Sequence, residues 1–352
     1  MNPDSKPHLI TKTLIPENQE TPIHFIKDDL IKNNLFYRRN HFPIPTFTSS
    51  FYLVPIQGLV QTPRTFSLQE IYSLSSTSLK TVLECSGNKR AFFEPKVFGD
   101  QWKEGAISQG VWKGVSLRTL FQYTGLKPTA KEVVFEGHDV GKRPDSDETF
   151  SFARSLPLEV ALHPDTILAY EYNHQAIPFK HGFPLRLIVP GWYGMASVKW
   201  VKKITVIDHE FNGPFQTVDY VYYPNKENDQ GKTPVTKVHV NSTIQYPLNR
   251  QILHKGVYEV SGIAWTGGEG LVTRVEISLD GGQSWDNCQL NNNPEKYAWV
   301  RWNYEWKALE NGEFMIKTKA YDSLGNKQPA EAFWNRKGYG YNAVDCIEVK
   351  IE

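Results

Sequence analysis

One stretch concentrates the chemistry available to this chain: Thr81-Val-Leu-Glu-Cys-Ser-Gly-Asn-Lys-Arg90. An alternating apolar run ends in a cysteine, and a small polar turn with two cations follows. A cysteine at a strand end, set into a turn, can aim its sulfur at a bound metal instead of into a core. The glycine lets backbone N–H groups approach an anion. Lys89 and Arg90 are expected to put positive charge beside that sulfur, which favours thiolate, the metal-binding form. The same pattern also fits a buried structural cysteine followed by a loop, because free cysteine is among the most buried residue types. Spacing alone leaves both readings open.

Further segments carry charge on stiff backbone. In Phe36-Tyr-Arg-Arg-Asn-His-Phe-Pro-Ile-Pro45 two prolines hold the chain extended, so an Arg-Asn-His cluster is well placed to hold an anion. A surface loop with incidental charges fits it too. In Phe179-Lys-His-Gly-Phe-Pro-Leu-Arg-Leu-Ile-Val-Pro-Gly191 the leucines alternate with Arg186, which therefore faces away from them. A cation on the inner face of a strand wants an anion partner, and a phosphate bound bidentately would serve. Asp139 closes a strand in Gly137-His-Asp139, where an Asx-turn is the alternative. Trp102 and Trp112 are by default core residues. Tyr220, in Gln-Thr-Val-Asp-Tyr, could equally be an interdomain contact.

Taken together these segments resemble the sulfite oxidase family of molybdopterin-dependent oxidoreductases, in a haem-free, bacterial- or plant-like form. Leu83-Glu-Cys-Ser-Gly-Asn-Lys-Arg90 is similar to that family's L-x-C-A-G-N-R-R. Arg39-Asn40-His41 resembles its R-N-H-x-P-x-P, His181 to Gly191 its H-G-F-P-x-R-x-x-x-P-G, and Gly194-Met-Ala-Ser-Val-Lys-Trp200 its G-A-R-x-V-K-W. The resemblance implies Cys85 as the one protein ligand to molybdenum. It implies a molybdopterin held by Tyr37, Arg38, Arg39, Asn40, His41, Asp139, His181, Arg186, Ser197, Val198 and Lys199. It also implies a substrate pocket of Arg39, Arg90, Trp102, Tyr220 and Lys337, with Trp112 packing in the core. The implied reaction is oxidation of sulfite, a small oxyanion, to sulfate by oxygen-atom transfer. Electrons then leave to oxygen or to an external acceptor such as a cytochrome, since no haem, flavin or iron–sulfur motif is present. A same-fold reductase of another oxyanion or S-oxide is the alternative. Two departures stand out. Met195-Ala196 replaces the usual Ala-Arg, removing one cation. In Trp334-Asn-Arg-Lys-Gly338, Lys337 takes the place of an arginine, and lysine is a point charge, not a fork.

These groups need a frame. Strands are expected at Leu79–Cys85, Glu132–Gly137, Ile167–Tyr172 and around Arg186. Ser67-Leu-Gln-Glu70 is a capping box, and Ser116 caps a helix that Gly125 stops. A short helix is expected from Pro22 to Asn33, inside an N-terminal arm of residues 1–35, and another from Ser155, with a proline in its first turn. That arm is too short for the cytochrome module some members of the resembled family carry. Tyr222–Pro234 reads as a linker. Beyond it, Tyr258–Trp265, Thr273–Leu279, Trp299–Trp306, Phe314–Tyr321 and Cys346–Ile351 are short strands between turn signals, the pattern of a β-sandwich. The expected class is α+β. A mixed α/β catalytic domain (residues 1–223) is followed by an immunoglobulin-like domain (residues 224–352), which the resemblance makes a homodimerisation domain.

Composition narrows the classes. A chain of 352 residues suggests two domains. A net charge of +1 argues against nucleic acid as the main partner. Three widely spaced cysteines are no disulfide framework, and a reducing, cytoplasmic setting is the simpler reading. No apolar run follows the N-terminal charges, so no secretory signal is expected, and Arg38-Arg39 comes too late for a twin-arginine leader. No apolar run reaches membrane-spanning length, so no membrane partner is expected.

Overall fold

The computed structural model describes residues 6–47 and 51–352. Its first half is organised by two sheets that share one core. In the first, Thr77–Glu84 pairs antiparallel with Ile107–Ser116, which pairs with Ile167–Tyr172, and Arg186–Ile188 adds to the latter's far edge. The second runs Arg64–Ser67, Leu53–Gly58, Val201–Ile207, Glu132–Lys142, Thr149–Pro157. It is mixed, since Val201–Ile207 lies parallel to Leu53–Gly58 and antiparallel to Glu132–Lys142. Both faces of these strands are covered, so Ile167–Ala169 and Arg186–Ile188 are buried without alternation.

Helices are short and start where their caps say. Ser67 accepts from the Glu70 N–H and Glu70 reaches back to the Ser67 N–H, opening Leu68–Ser73. Ser116 caps Leu117–Thr124, which buries Leu117, Leu120 and Phe121 and ends at Gly125. The helix expected from Pro22 to Asn33 does not form. Two single 3-10 turns stand there, Ile23–Phe25 and Asn33–Leu35. The intervening chain is instead pinned to the first sheet, with the Ile31 N–H on the Gln109 carbonyl. The helix expected from Ser155 begins later, at Leu158–Ala161, because Ser155 through Pro157 still pair with the neighbouring strand.

The stretch read as a linker is closed at its ends, where Val221–Tyr222 pairs with Thr233–Pro234, and residues 223–232 are turn and loop between them. Beyond it two sheets enclose a second core. One runs Asn241–Tyr246, Gly256–Trp265, Val300–Ala308, Gln289–Leu290; the other runs Gln251–Leu253, Asp345–Ile351, Gly312–Asp322, Val272–Ser278, Asp286–Asn287. Burial alternates cleanly along Gly312–Asp322, as a strand with one solvated face requires. Asn241–Tyr246 has no such alternation, being buried nearly throughout, and the sequence reading missed it. The two halves are not separated by solvent. Trp265 and Trp299 join the core of the first half, and the Trp265 Nε1–H donates to Glu84. Cys85, Cys288 and Cys346 are all free thiols. Among the described residues no helix is long and apolar enough to cross a membrane.

Candidate active site

The strand Thr77–Glu84 delivers Cys85 to a turn. The Cys85 N–H still bonds the Ala106 carbonyl, but the Cys85 carbonyl already accepts from the Asn88 N–H. The Gly87 N–H points at the Cys85 sulfur, 3.4 Å away. Gly87 is needed by its neighbour: a Cβ there would stand 2.6 Å from the Arg90 guanidinium, which folds back over the turn. Burial pushes the Cys85 thiol up, and Arg39 and Arg90 pull it back down. Lys89 does not serve the sulfur, contrary to the sequence reading. It adopts a left-handed backbone (φ 63°) and buries its ammonium in the second half of the chain. There it bonds Asp345 Oδ1 at 3.0 Å, Asn241 Oδ1 at 3.1 Å and the Ser242 carbonyl at 2.7 Å.

Cys85 and Ser86 open on a cavity whose walls come from several further segments. The extended stretch before Pro43 supplies Tyr37, Arg39, Asn40 and His41. An irregularity between Glu136 and Val140 bends the strand Glu132–Lys142 and brings in Asp139. His181 precedes Gly182, whose φ of 111° turns the chain into the strand that presents Arg186. Ser197 and Lys199 follow a tight turn, and Tyr220 closes the wall.

Most of these polar groups are tied by local bonds. Lys199 donates to the Arg39 carbonyl at 3.0 Å and to Asn40 Oδ1. Burial draws the Lys199 ammonium down to about 7. Arg186 donates to the His181 carbonyl at 2.9 Å and the Ser197 carbonyl at 3.1 Å, and its guanidinium lies 4.8 Å over the Trp112 ring. The Tyr220 hydroxyl donates to His41 Nε2 at 2.8 Å, with Arg39 Nη2 at 3.3 Å from the same nitrogen. Burial, then Arg39 and Lys199, hold His41 far below its usual range, so it is a neutral acceptor. Other buried atoms of this wall have no protein partner: Asp139 Oδ1, Arg186 Nε and Ser86 Oγ. Burial also raises the Asp139 carboxyl to about 6. Unmet donors and acceptors on residues that line one cavity beside a sulfur fit a polar, anionic ligand that bonds both kinds of group.

The N-terminal segment, read from sequence as a plain arm, is part of this structure. Asn18 Oδ1 accepts from the Asn40 N–H at 2.6 Å, and the Glu17 carbonyl accepts from Asn40 Nδ2 at 2.8 Å. Lys6 is buried, with its ammonium 2.6 Å from the Phe36 carbonyl and 2.5 Å from His181 Nε2. An ammonium can only donate, so Nε2 is the acceptor and the proton of the neutral His181 ring sits on Nδ1. No local pattern announces these contacts, which join residues from 22 to 175 positions apart.

Five expected site residues stand outside the cavity lining. Arg38 turns to the N-terminal hairpin, ion-paired with Glu17. Val198 is core. Trp102 is fully buried in the apolar cluster that also holds Cys85, not on the cavity wall. Arg90 lies behind the sulfur, donating to the Lys337 and Asp100 carbonyls and covering Tyr339 at 5.1 Å. Lys337 pairs at 2.9 Å with Asp219, which Arg143 also holds. Residues the sequence reading passed over and the structure adds are Lys6, Phe152, Arg143 and Arg154.

Comparisons with known proteins find relatives along the whole chain. Residues 41–215 match the family described as Oxidoreductase molybdopterin binding domain, and residues 232–352 match the Mo-co oxidoreductase dimerisation domain. The chain is 32% identical to the sulfite oxidase of Arabidopsis thaliana, over 96% of this chain and 92% of that protein. It is also 32% identical to Nitrate reductase [NADH] 1 of Phaseolus vulgaris, over 96% of this chain and 42% of that protein. Animal mitochondrial sulfite oxidases are longer too, the chain spanning 62% of one and 67% of another. The sulfane dehydrogenase SoxCD of Paracoccus pantotrophus superposes with a TM-score of 0.84 at 26% identity, over 97% of this chain and 86% of that one.

Proposed function

This chain belongs to the sulfite oxidase family of molybdopterin-dependent oxidoreductases and takes a molybdenum cofactor, and from that membership we propose that it oxidises sulfite to sulfate, passing electrons to oxygen or to an external acceptor such as a cytochrome. The observation that carries the proposal is the convergence of Cys85, Arg39 and Tyr220 on one cavity, where Arg39, Arg186 and Lys199 face a single lining carboxylate, Asp139. A wall of that sign suits an anionic cofactor and a small oxyanion together.

In this reading Cys85 Sγ is the protein ligand to molybdenum, and Asp139, His181, Arg186, Ser197 and Lys199 hold the pterin. Asn40 and His41 sit beside them. When bound, that cofactor supplies the oxygen-atom transfer and the two-electron redox change. Arg39 binds and orients the oxyanion, and its positive charge is in place before the substrate arrives, so little reorganisation is needed. The Tyr220 hydroxyl donates to His41 Nε2 and can re-aim at a substrate oxygen, while neutral His41 remains an acceptor. Arg90 anchors the backbone at Lys337 and Gly338 and so holds Tyr339 stacked on Tyr220. No side-chain nucleophile is required.

We read the second half as an immunoglobulin-like unit that makes the chain a homodimer, with the division near residue 223, and the working compartment as the cytoplasm. A second reading, a reductase of another oxyanion or S-oxide, is favoured by one observation: Lys337 is committed to Asp219 and not turned to the cavity. Steady-state assays with artificial electron dyes separate the two. Sulfite oxidation is expected to exceed nitrate and sulfoxide reduction by at least ~100-fold in kcat/KM, about 2.7 kcal/mol of discrimination. Faster reduction of nitrate or a sulfoxide would replace the first reading by the second.

Lys6 gives a separate expectation. Lys6→Met removes the donor that orients His181, and loss of such an outer partner commonly weakens a bound group roughly 10–100-fold. Molybdopterin content after extensive dialysis should fall in Lys6→Met and recover in Lys6→Arg. Equal retention in all three proteins would leave Lys6 a packing residue only.

A further inference from the structure

Arg154 is the buried cation that the described contacts leave least explained. It lies on the strand Thr149–Pro157, two residues after Phe152 and therefore on the same face. Phe152 lines the cavity and stacks on His41, ring centres 4.7 Å apart. Arg154 is 1% exposed. Nη1 donates to the Phe215 carbonyl, Nε has no partner, and among the described residues no carboxylate pairs with it. Its guanidinium lies 5.6 Å from the centre of the Tyr220 ring.

A buried guanidinium held by one neutral carbonyl is costly, and natural interiors compensate such a charge. Several other cations already have carboxylate partners. Lys337 and Arg143 share Asp219, Arg38 pairs with Glu17, and Lys89 pairs with Asp345. The tight turn Gly194–Ala196, which packs against the strand of Arg154, carries no cation of its own. Among the described residues Arg39, Arg90, Arg154, Arg186 and Lys199 have no carboxylate at ion-pair distance, and of these Arg39 and Arg154 lie against Tyr220 and its hydroxyl's partner His41. Burial draws the Arg154 guanidinium down to about 10, so it remains charged at neutral pH.

We propose that Arg154 is a binding residue for the oxyanion substrate, which it holds with Arg39 and the Tyr220 hydroxyl, and that this pair of guanidiniums selects doubly charged oxyanions over singly charged ones. The proposal rests on reading the cavity as an oxyanion site. It names a class, a small dianion such as sulfite or sulfate at pH 8, against a monoanion such as nitrate.

The test uses the cofactor-loaded protein and its variants Arg154→Gln and Arg154→Lys, each checked for molybdenum content and melting temperature. Sulfate is the unreactive probe, followed by calorimetry and as a competitive inhibitor. Hydrogen bonds to charged groups are worth enough that Arg154→Gln should weaken sulfate binding and raise the sulfite KM at least ~10-fold. The effect on kcat should be smaller, and nitrate binding should change less than ~3-fold because a monoanion needs the second cation less. Arg154→Lys should fall between, losing roughly 3-fold, since it keeps the charge but not the fork. If Arg154→Gln does not fold, Arg154→Lys decides by the same sulfate titration. Sulfate affinity unchanged in a folded variant, or sulfate and nitrate affinities lost in parallel, overturns the proposal. A wild-type protein that binds sulfate through Arg154 but does not turn over sulfite would keep this inference and remove the proposed substrate.

Discussion

Cys85→Ser is expected to abolish turnover while leaving the protein folded. The side chains are nearly equal in size, and Cys85 is buried at the end of a strand whose backbone bonds do not involve its side chain. Packing around it therefore survives, with about 1 kcal/mol lost at most for burying a hydroxyl that can still accept from the Gly87 N–H. The chemistry does not survive. A serine hydroxyl is a harder and far less acidic donor than a thiol, so it cannot supply the thiolate that the metal needs. Turnover should drop at least ~1,000-fold, equivalent to about 4 kcal/mol in the barrier. Melting temperature and dimer content should stay near those of the parent. Turnover within tenfold of the parent, at full molybdenum content, would contradict the assignment of Cys85 as ligand.

Lys89→Met should produce the largest loss of stability. Its ammonium is fully buried and donates to three acceptors, all in the second half of the chain. Methionine fills the stem but leaves Asp345 with the Ile244 N–H as its main support. Breaking a buried pair from one side typically costs about 3–5 kcal/mol, because the remaining charge is stranded. For a chain of this size that is a fall of roughly 10 °C in melting temperature. The double change Lys89→Met with Asp345→Leu should cost less than Lys89→Met alone, since no charge is then stranded. Because Lys89 lies between Asn88 and Arg90, cofactor content should fall with stability. A loss below ~1 kcal/mol in urea titration, with the double variant no better than the single, would show that this ion pair does not couple the two halves.

The family resemblance carried most of the site, since spacing alone left Cys85, the Arg39–His41 cluster and Asp139 open between a site and an ordinary structural role. The cysteine at the end of an apolar run, Gly182 after His181, and an arginine alternating with leucines each mark a backbone position that few other residues could occupy. Arg39, Asn40, His41, Asp139, His181, Arg186, Ser197, Lys199, Tyr37 and Tyr220 do line one cavity with Cys85. What stayed hidden depends on direction and on distant pairing. Lys89 and Arg90 are adjacent in sequence, but a left-handed φ at Lys89 sends one to the second half and the other behind the sulfur. Lys337 looked like a pocket cation, yet Asp219, a residue noticed only for its neighbour Tyr220, pairs with it outside the cavity lining. The hairpin around Glu17 and Asn18 was invisible because its value lies in bonds to Arg38 and Asn40. The expected helix between Pro22 and Asn33 failed because tertiary pairing of Ile31 outweighed a weak local preference.

The most direct test of the central claim is metal analysis of the purified protein from a host that makes the cofactor, with its optical spectrum before and after sulfite is added. One molybdenum per chain is expected, with a thiolate-to-metal band that bleaches on sulfite addition. Absence of molybdenum would contradict the role given to Cys85 and to the cavity around it.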